Sequence, residues 1–127
     1  MSDFPYQQDT QGHYFPIINF LIYHKNGFER TSALIDSGAT VSVFKEDLAE
    51  QLGITIENGD ETFLGGVGGR IKGYVHKLKI EIADKRFLCP VVFSHEYLVS
   101  FNLLGREAVF KQFRIIFEEK KNLLILE

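Results

Sequence analysis

The sequence predicts an all-β, barrel-like domain with two short helices. Three observations predict it. Apolar and polar residues alternate through much of the chain, most cleanly at Leu78, Ile80 and Ile82 with Lys77, Lys79 and Glu81 on the other face. Turn chemistry recurs between such runs, at Asn26-Gly27 and Asn58-Gly59, where Asn and Gly tolerate the positive φ of tight hairpins. Helical spacing is confined to two short stretches.

Each element follows in order. Residues 1–12 are polar and read as a flexible N-terminal segment, leaving 13–127 as one domain. "YFPIINFLIYH" and "ERTSALID" form a hairpin turning at Lys25-Asn26-Gly27. In "VFKEDLAEQLG", Phe44, Leu48 and Leu52 recur at helical spacing, Ser42 is available as a cap, and Gly53 can end the helix. "ITIENGDETFL" reads as a hairpin turning at Asn58-Gly59. "KLKIEIADKRFLCPVVF" turns between Ala83 and Arg86, and Pro90, lacking a backbone donor, marks its second strand as edge or kinked. "YLVSFNLLG" follows as a buried strand, "REAVFKQF" as the second helix and "RIIFEEKKNLLILE" as a closing hairpin.

Bulk properties exclude several functions. The chain has 127 residues, enough for one core and too few for two domains. A net charge of -3 gives no electrostatic basis for nucleic-acid or anionic-membrane binding. The single Cys89 precludes an internal disulfide and the usual cysteine-based zinc site, and its apolar setting suggests a buried, inert thiol. His13, His24, His76 and His95 are scattered, with no metal-ligand spacing, so neither metal nor cofactor is expected. "MSDFPYQQDTQGHYF" lacks the charged and apolar regions of a signal peptide, and no apolar run reaches membrane-spanning length, so a cytoplasmic location is expected.

Two stretches point to chemistry. "SALIDSGATVSVF" sets Asp36 inside an apolar run, where an ionised carboxylate is costly unless it is paired or exchanges a proton. "FLGGVGGRIKG" describes a hairpin with a glycine-rich tip. It lacks the Gly-Lys-Ser/Thr of a phosphate loop and no helix follows it. An ordinary turn explains it in isolation. Over a partner site it reads as a lid whose bare amides bond an extended peptide.

"ALIDSGA", then "FLGGVGGRIKG", then "NLLGREAVF", in that order, resemble the retropepsins, the single-domain aspartic proteases of retroviral type, from about Leu34 to Phe117. The resemblance implies a closed β-barrel of acid-protease fold and a catalytic Asp36. The chemistry needs one carboxylate to take a proton and another to give it. Since no second Asp-Thr/Ser-Gly is present, the resemblance implies a C2 homodimer that brings Asp36 to its own copy. The partners it implies are a second subunit and an extended peptide or protein substrate.

The family's roles carry over residue by residue. Ser37, Gly38 and Ala39 would support the active-site loop, and Arg106 would buttress it. Gly65, Gly66, Val67, Gly68 and Gly69 would form the flap that bonds substrate backbone. Leu34, Val43, Leu64, Phe101 and Leu103 align with apolar subsite walls, although core packing explains each of them equally well. The sequence also departs from the viral pattern. An acidic pair commonly follows Asp-Thr-Gly-Ala there, whereas this chain has Thr40 and Val41. Peptide anchoring and an acidic partner for Arg106 therefore do not carry over, which keeps a non-catalytic peptide-binding module as the alternative. The helix from Lys45 to Leu52 is more similar to cellular and prokaryotic relatives, and the C-terminal hairpin is a candidate interface sheet.

Overall fold

The computed structural model describes residues 1–66 and 68–127. Its strands are β1 (Ser2–Pro5), β2 (Gln7–Gln8), β3 (Tyr14–Phe15), β4 (Ile17–His24), β5 (Gly27–Ile35) and β6 (Ser42–Phe44). Helix α1 (Glu46–Leu52) and a 3-10 turn (Ile56–Asn58) come next. Then follow β7 (Asp60–Gly66), β8 (Gly69–Ile82), β9 (Lys85–Phe93), β10 (Leu103–Leu104), β11 (Ile115–Glu118) and β12 (Leu123–Leu126). A second 3-10 turn, Glu119–Lys121, joins the last two strands. The chain is therefore mostly β, as expected.

Seven strands form one sheet in the order β4-β5-β10-β6-β9-β8-β7, and β4 also pairs with β8. That extra pairing curls the sheet back on itself around the core. Strand β8 makes this possible by its length. Its first half pairs with β7, its second half with β9, and Lys79–Glu81 with β4. Alternation decides which face turns inward. Ile18, Phe20 and Ile22 of β4 and Ile80 and Ile82 of β8 are buried, while Lys77 and Lys79 stay exposed. Burying each such side chain is worth about 1.5–3 kcal/mol. The core also holds Phe44, Phe93 and Leu104.

Local turns follow sequence chemistry. His24 pairs with Gly27 across Lys25 and Asn26, and Gly27 takes φ +130°. The β8–β9 hairpin turns at Ala83 and Asp84, both at positive φ, as a tight two-residue loop requires. Helix α1 buries Leu48, Ala49 and Leu52 and ends on Gly53 at φ 70°. β9 lies between β6 and β8 and so is not the edge strand that Pro90 suggested; Pro90 faces Lys77 of β8, just before the parallel pairing with β6 begins at Val91. Among the described residues no helix is long and apolar enough to cross a membrane.

Five further expectations need correction. Ser2–Pro5, expected to be loose, is a strand antiparallel to β12 in a sheet ordered β1-β12-β11. The pairing partner lies at the far end of the chain, beyond any local pattern. Ser42 does not cap α1. It is fully buried in β6, and Lys45 stands at the N-cap without a side-chain bond. Asn58-Gly59 ends a 3-10 turn rather than making a hairpin, and Gly59 is extended. A Cβ there would lie 2.6 Å from Val75 O and His76 Nε2, so close approach explains this glycine. The stretch from Tyr97 to Gly105 is a strand only at Leu103–Leu104, with Leu98 and Val99 exposed. Finally, "REAVFKQF" is a run of turns, because Ala108 at φ 67° breaks helical geometry.

Candidate active site

Asp36 is the first residue beyond β5, whose Ala33 and Ile35 are buried in the core. β10 runs parallel beside it, matching Leu103 to Leu34 and Leu104 to Ile35. The Asp36 N–H therefore donates to Leu104 O at 3.0 Å, which pins the backbone where the strand ends. The chain then turns. Gly38 N–H donates to Asp36 Oδ1 at 2.9 Å and Ala39 N–H to Asp36 O at 3.2 Å. This side-chain turn is what Asp followed by a small residue and Gly favours. It orients the carboxylate at the end of the strand, where Asp36 is only partly buried, which lowers the cost of an acid beside an apolar run. Ser37 is exposed and Ala39 half-buried.

The other side of the loop is held by the segment after β10. Arg106 N–H donates to Ala39 O at 2.8 Å and Glu107 N–H to Thr40 O at 2.9 Å. The buttress from Arg106 is thus its main chain. Its side chain is exposed and, among the described residues, makes no ion pair. Gly105 lies so close to the loop that a Cβ would sit 2.5 Å from Val41 C and against Val41 O. Its N–H donates to the buried Ser42 Oγ at 3.0 Å. Asn102 completes the frame. Its Oδ1 accepts from Lys45 N–H at 2.7 Å, and its carbonyl accepts from Leu34 N–H at 2.8 Å.

A cavity of about 610 Å³ lies between this loop and the β7–β8 hairpin. Asp36, Gly38 and Ala39 of the loop and Gly65, Gly66 and Gly69 of the hairpin all line it. Asp36 is the one carboxylate among the described residues lining it. Gly66 pairs with Gly69 to close the hairpin, and Gly68 and Gly69 take φ of +100° and +117°, a region favouring glycine. Val67, expected at the flap tip, lies outside the described residues. Val43, Leu64 and Leu103 reach the cavity, whereas Leu34 and Phe101 do not line it. Phe101 instead stacks on Phe15 with ring centroids 5.1 Å apart.

Tyr97, Val99 and Ile71 also line the cavity, and sequence reasoning missed all three. The Tyr97 hydroxyl donates to Phe101 O at 2.6 Å. Burial first, and then the Asp36 charge, pushes the phenol pKa up to about 12, so it stays protonated through neutral pH. A lone tyrosine in an irregular stretch carries no periodic signal. Its place shortly before "NLLGR" was the available clue.

The remaining reactive groups take structural parts. Cys89 is fully buried against Ser42 Oγ, and burial raises its pKa to about 11, which disfavours the thiolate. His95 is held between the carboxylates of Glu46 and Glu57. Among the described residues no three His, Cys, Asp or Glu side chains gather as a metal-holding group.

Known proteins resemble this chain in sequence and in fold. The aspartyl protease family model matches residues 23–108. A retropepsin-like aspartic protease from Rickettsia conorii superposes with a TM-score of 0.67 at 20% identity, covering 98% of this chain and 90% of that one. An inhibitor-bound EIAV protease superposes with a TM-score of 0.61 at 22% identity, covering 77% of this chain and 88% of that one. No curated protein matches the sequence. The two superpositions establish the fold, and the family match points to a peptidase.

Proposed function

The chain belongs to the aspartyl protease family, and from that premise we propose that it is an aspartic endopeptidase acting as a homodimer. Each subunit contributes one Asp36 to a shared site on the two-fold axis. Two carboxylates that close cannot both ionise, a coupling that aspartic proteases as a class exemplify, so the pair shares a proton and titrates as a unit. The ionised member takes a proton from a bound water while its protonated partner hydrogen-bonds the scissile carbonyl. Attack by that water gives a tetrahedral intermediate with no covalent enzyme adduct. Flap amides from Gly65 to Gly69 hold the peptide backbone, and the curled sheet is read as a closed barrel.

One observation carries the reading. A single oriented carboxylate lies on a pinned loop, facing a glycine-rich hairpin across a peptide-sized cavity. Ser37 is free at the surface to bond across the axis. Thr40 and Val41 line the cavity where viral enzymes carry acids, which favours peptide binding without turnover as the second reading.

Peptide-library cleavage by wild type and Asp36→Asn, from acid to neutral pH and over a range of enzyme concentrations, tests both. Cleavage beside apolar residues is expected, inhibited by a statine-type compound and lowered on the order of 10²–10⁴-fold in Asp36→Asn. Peptide capture without cleavage in both proteins would favour the binding module.

A further inference from the structure

The turn Ser94–Tyr97 ties the flap to the wall of the cavity. Ser94 is fully buried, and its hydroxyl donates to Lys72 O on the flap strand β8 while accepting Glu96 N–H at 3.1 Å. The Glu96 carboxylate accepts Lys72 N–H at 2.9 Å, so two side chains of one turn hold both polar backbone atoms of Lys72. His95 bonds Glu46 on α1 and Glu57 ahead of β7. Tyr97 N–H then donates to Ser94 O at 3.4 Å.

Past Tyr97 the situation reverses. Leu98 is 90% exposed and Val99 48%, so little packing holds this part of the wall. The hydrogen bond from the Tyr97 hydroxyl to Phe101 O spans the loop and closes it. Tyr97 meanwhile lines the same cavity as Asp36 and the hairpin glycines Gly65, Gly66 and Gly69.

We infer that Tyr97 is a specificity-determining residue: its ring limits the size of the apolar side chain accepted beside Asp36, and its hydroxyl holds the loop that forms that subsite. This rests on the peptidase reading and narrows its substrate class to peptides with a small or medium apolar residue at one position next to the cut. A side chain on a turn locked by its own neighbours can discriminate by size, because it cannot yield to a larger guest.

The test is steady-state kinetics of wild type, Tyr97→Phe and Tyr97→Ala on peptides varied one position at a time around the cut. Tyr97→Ala should shift the ranking at a single position toward Phe and Leu over Ala and Val, by roughly tenfold in relative kcat/KM. Tyr97→Phe keeps the ring, so it should keep the ranking while raising KM with kcat nearly unchanged. It also guards against misfolding of the alanine variant. Turnover by wild type with an unchanged ranking in Tyr97→Ala overturns the assignment of Tyr97 and leaves the peptidase reading intact. Peptide binding by wild type without turnover overturns the peptidase reading, and the binding profiles of the same variants still decide on Tyr97.

Discussion

Two glycine-bearing regions face each other across the cavity, and their glycines are there for different reasons. At the base, Gly105 is buried against the main chain of Val41 and Ala39, with no room for another atom. In the β7–β8 hairpin, Gly65 and Gly66 are exposed, and a Cβ at either would meet nothing within 4 Å. The base uses glycine to bring two backbones together behind Asp36. The hairpin carries glycine where nothing crowds it, and under the proposed function this leaves its amides open to a peptide. If the proposed function holds, the same substitution should damage stability in the base and function in the hairpin.

The strongest break in that contrast is Gly105→Ala. A Cβ there meets backbone that cannot rotate away, so a loss of about 3 kcal/mol or more is expected by urea denaturation. An unchanged midpoint would contradict the close packing of the two segments. Ser42→Ala should cost less, about 1–3 kcal/mol, because it leaves the buried Gly105 N–H without its acceptor. If the variant unfolds at the wild-type denaturant concentration, the Ser42 bond contributes nothing to the frame.

The β7–β8 hairpin sharpens the comparison from the other side. Gly65→Ala with Gly66→Ala should leave stability within about 0.5 kcal/mol, since neither side chain meets an obstacle. The same double variant should raise KM for peptides, through lost backbone approach and a stiffer hairpin. Equal KM values would show that these positions do not meet substrate.

The smallest effect concerns His95. The hydrogen bond to Glu46, with a lesser one to Glu57, raises its pKa above the ordinary 6.5. Its ion pairs therefore contribute fully below about pH 6.5 and are lost as pH rises through the raised value. Proton titration by NMR should place the ring above 6.5, and His95→Gln should flatten the stability profile in that window. A ring titrating below 6.5 would contradict the pairing.

Legibility in the sequence followed the range of the interactions. Ile80 and Ile82 alternate with charged neighbours, so their burial in β8 could be read locally. So could the Asn26-Gly27 hairpin, Gly53 as a helix end, and the Asp36 turn. Long-range pairing was invisible. Ser2–Pro5 gains its strand identity from Leu123–Leu126, and Arg106 and Glu107 spend their amides on Ala39 and Thr40 rather than on a helix. Asn58-Gly59 misled because a glycine can serve proximity as well as a turn. Tyr97 went unseen for a related reason. Its place in the site is set by Lys72, Ser94 and Phe101, none of which forms a pattern with it in the chain.

The most direct test mixes wild type with an increasing share of Asp36→Asn at constant total protein, allows subunits to exchange, and follows peptide cleavage. If each active unit needs an intact carboxyl group from both subunits, the rate falls as the square of the wild-type fraction. A rate that falls only in proportion to that fraction would mean that one chain suffices, and a site shared between two copies could not be sustained.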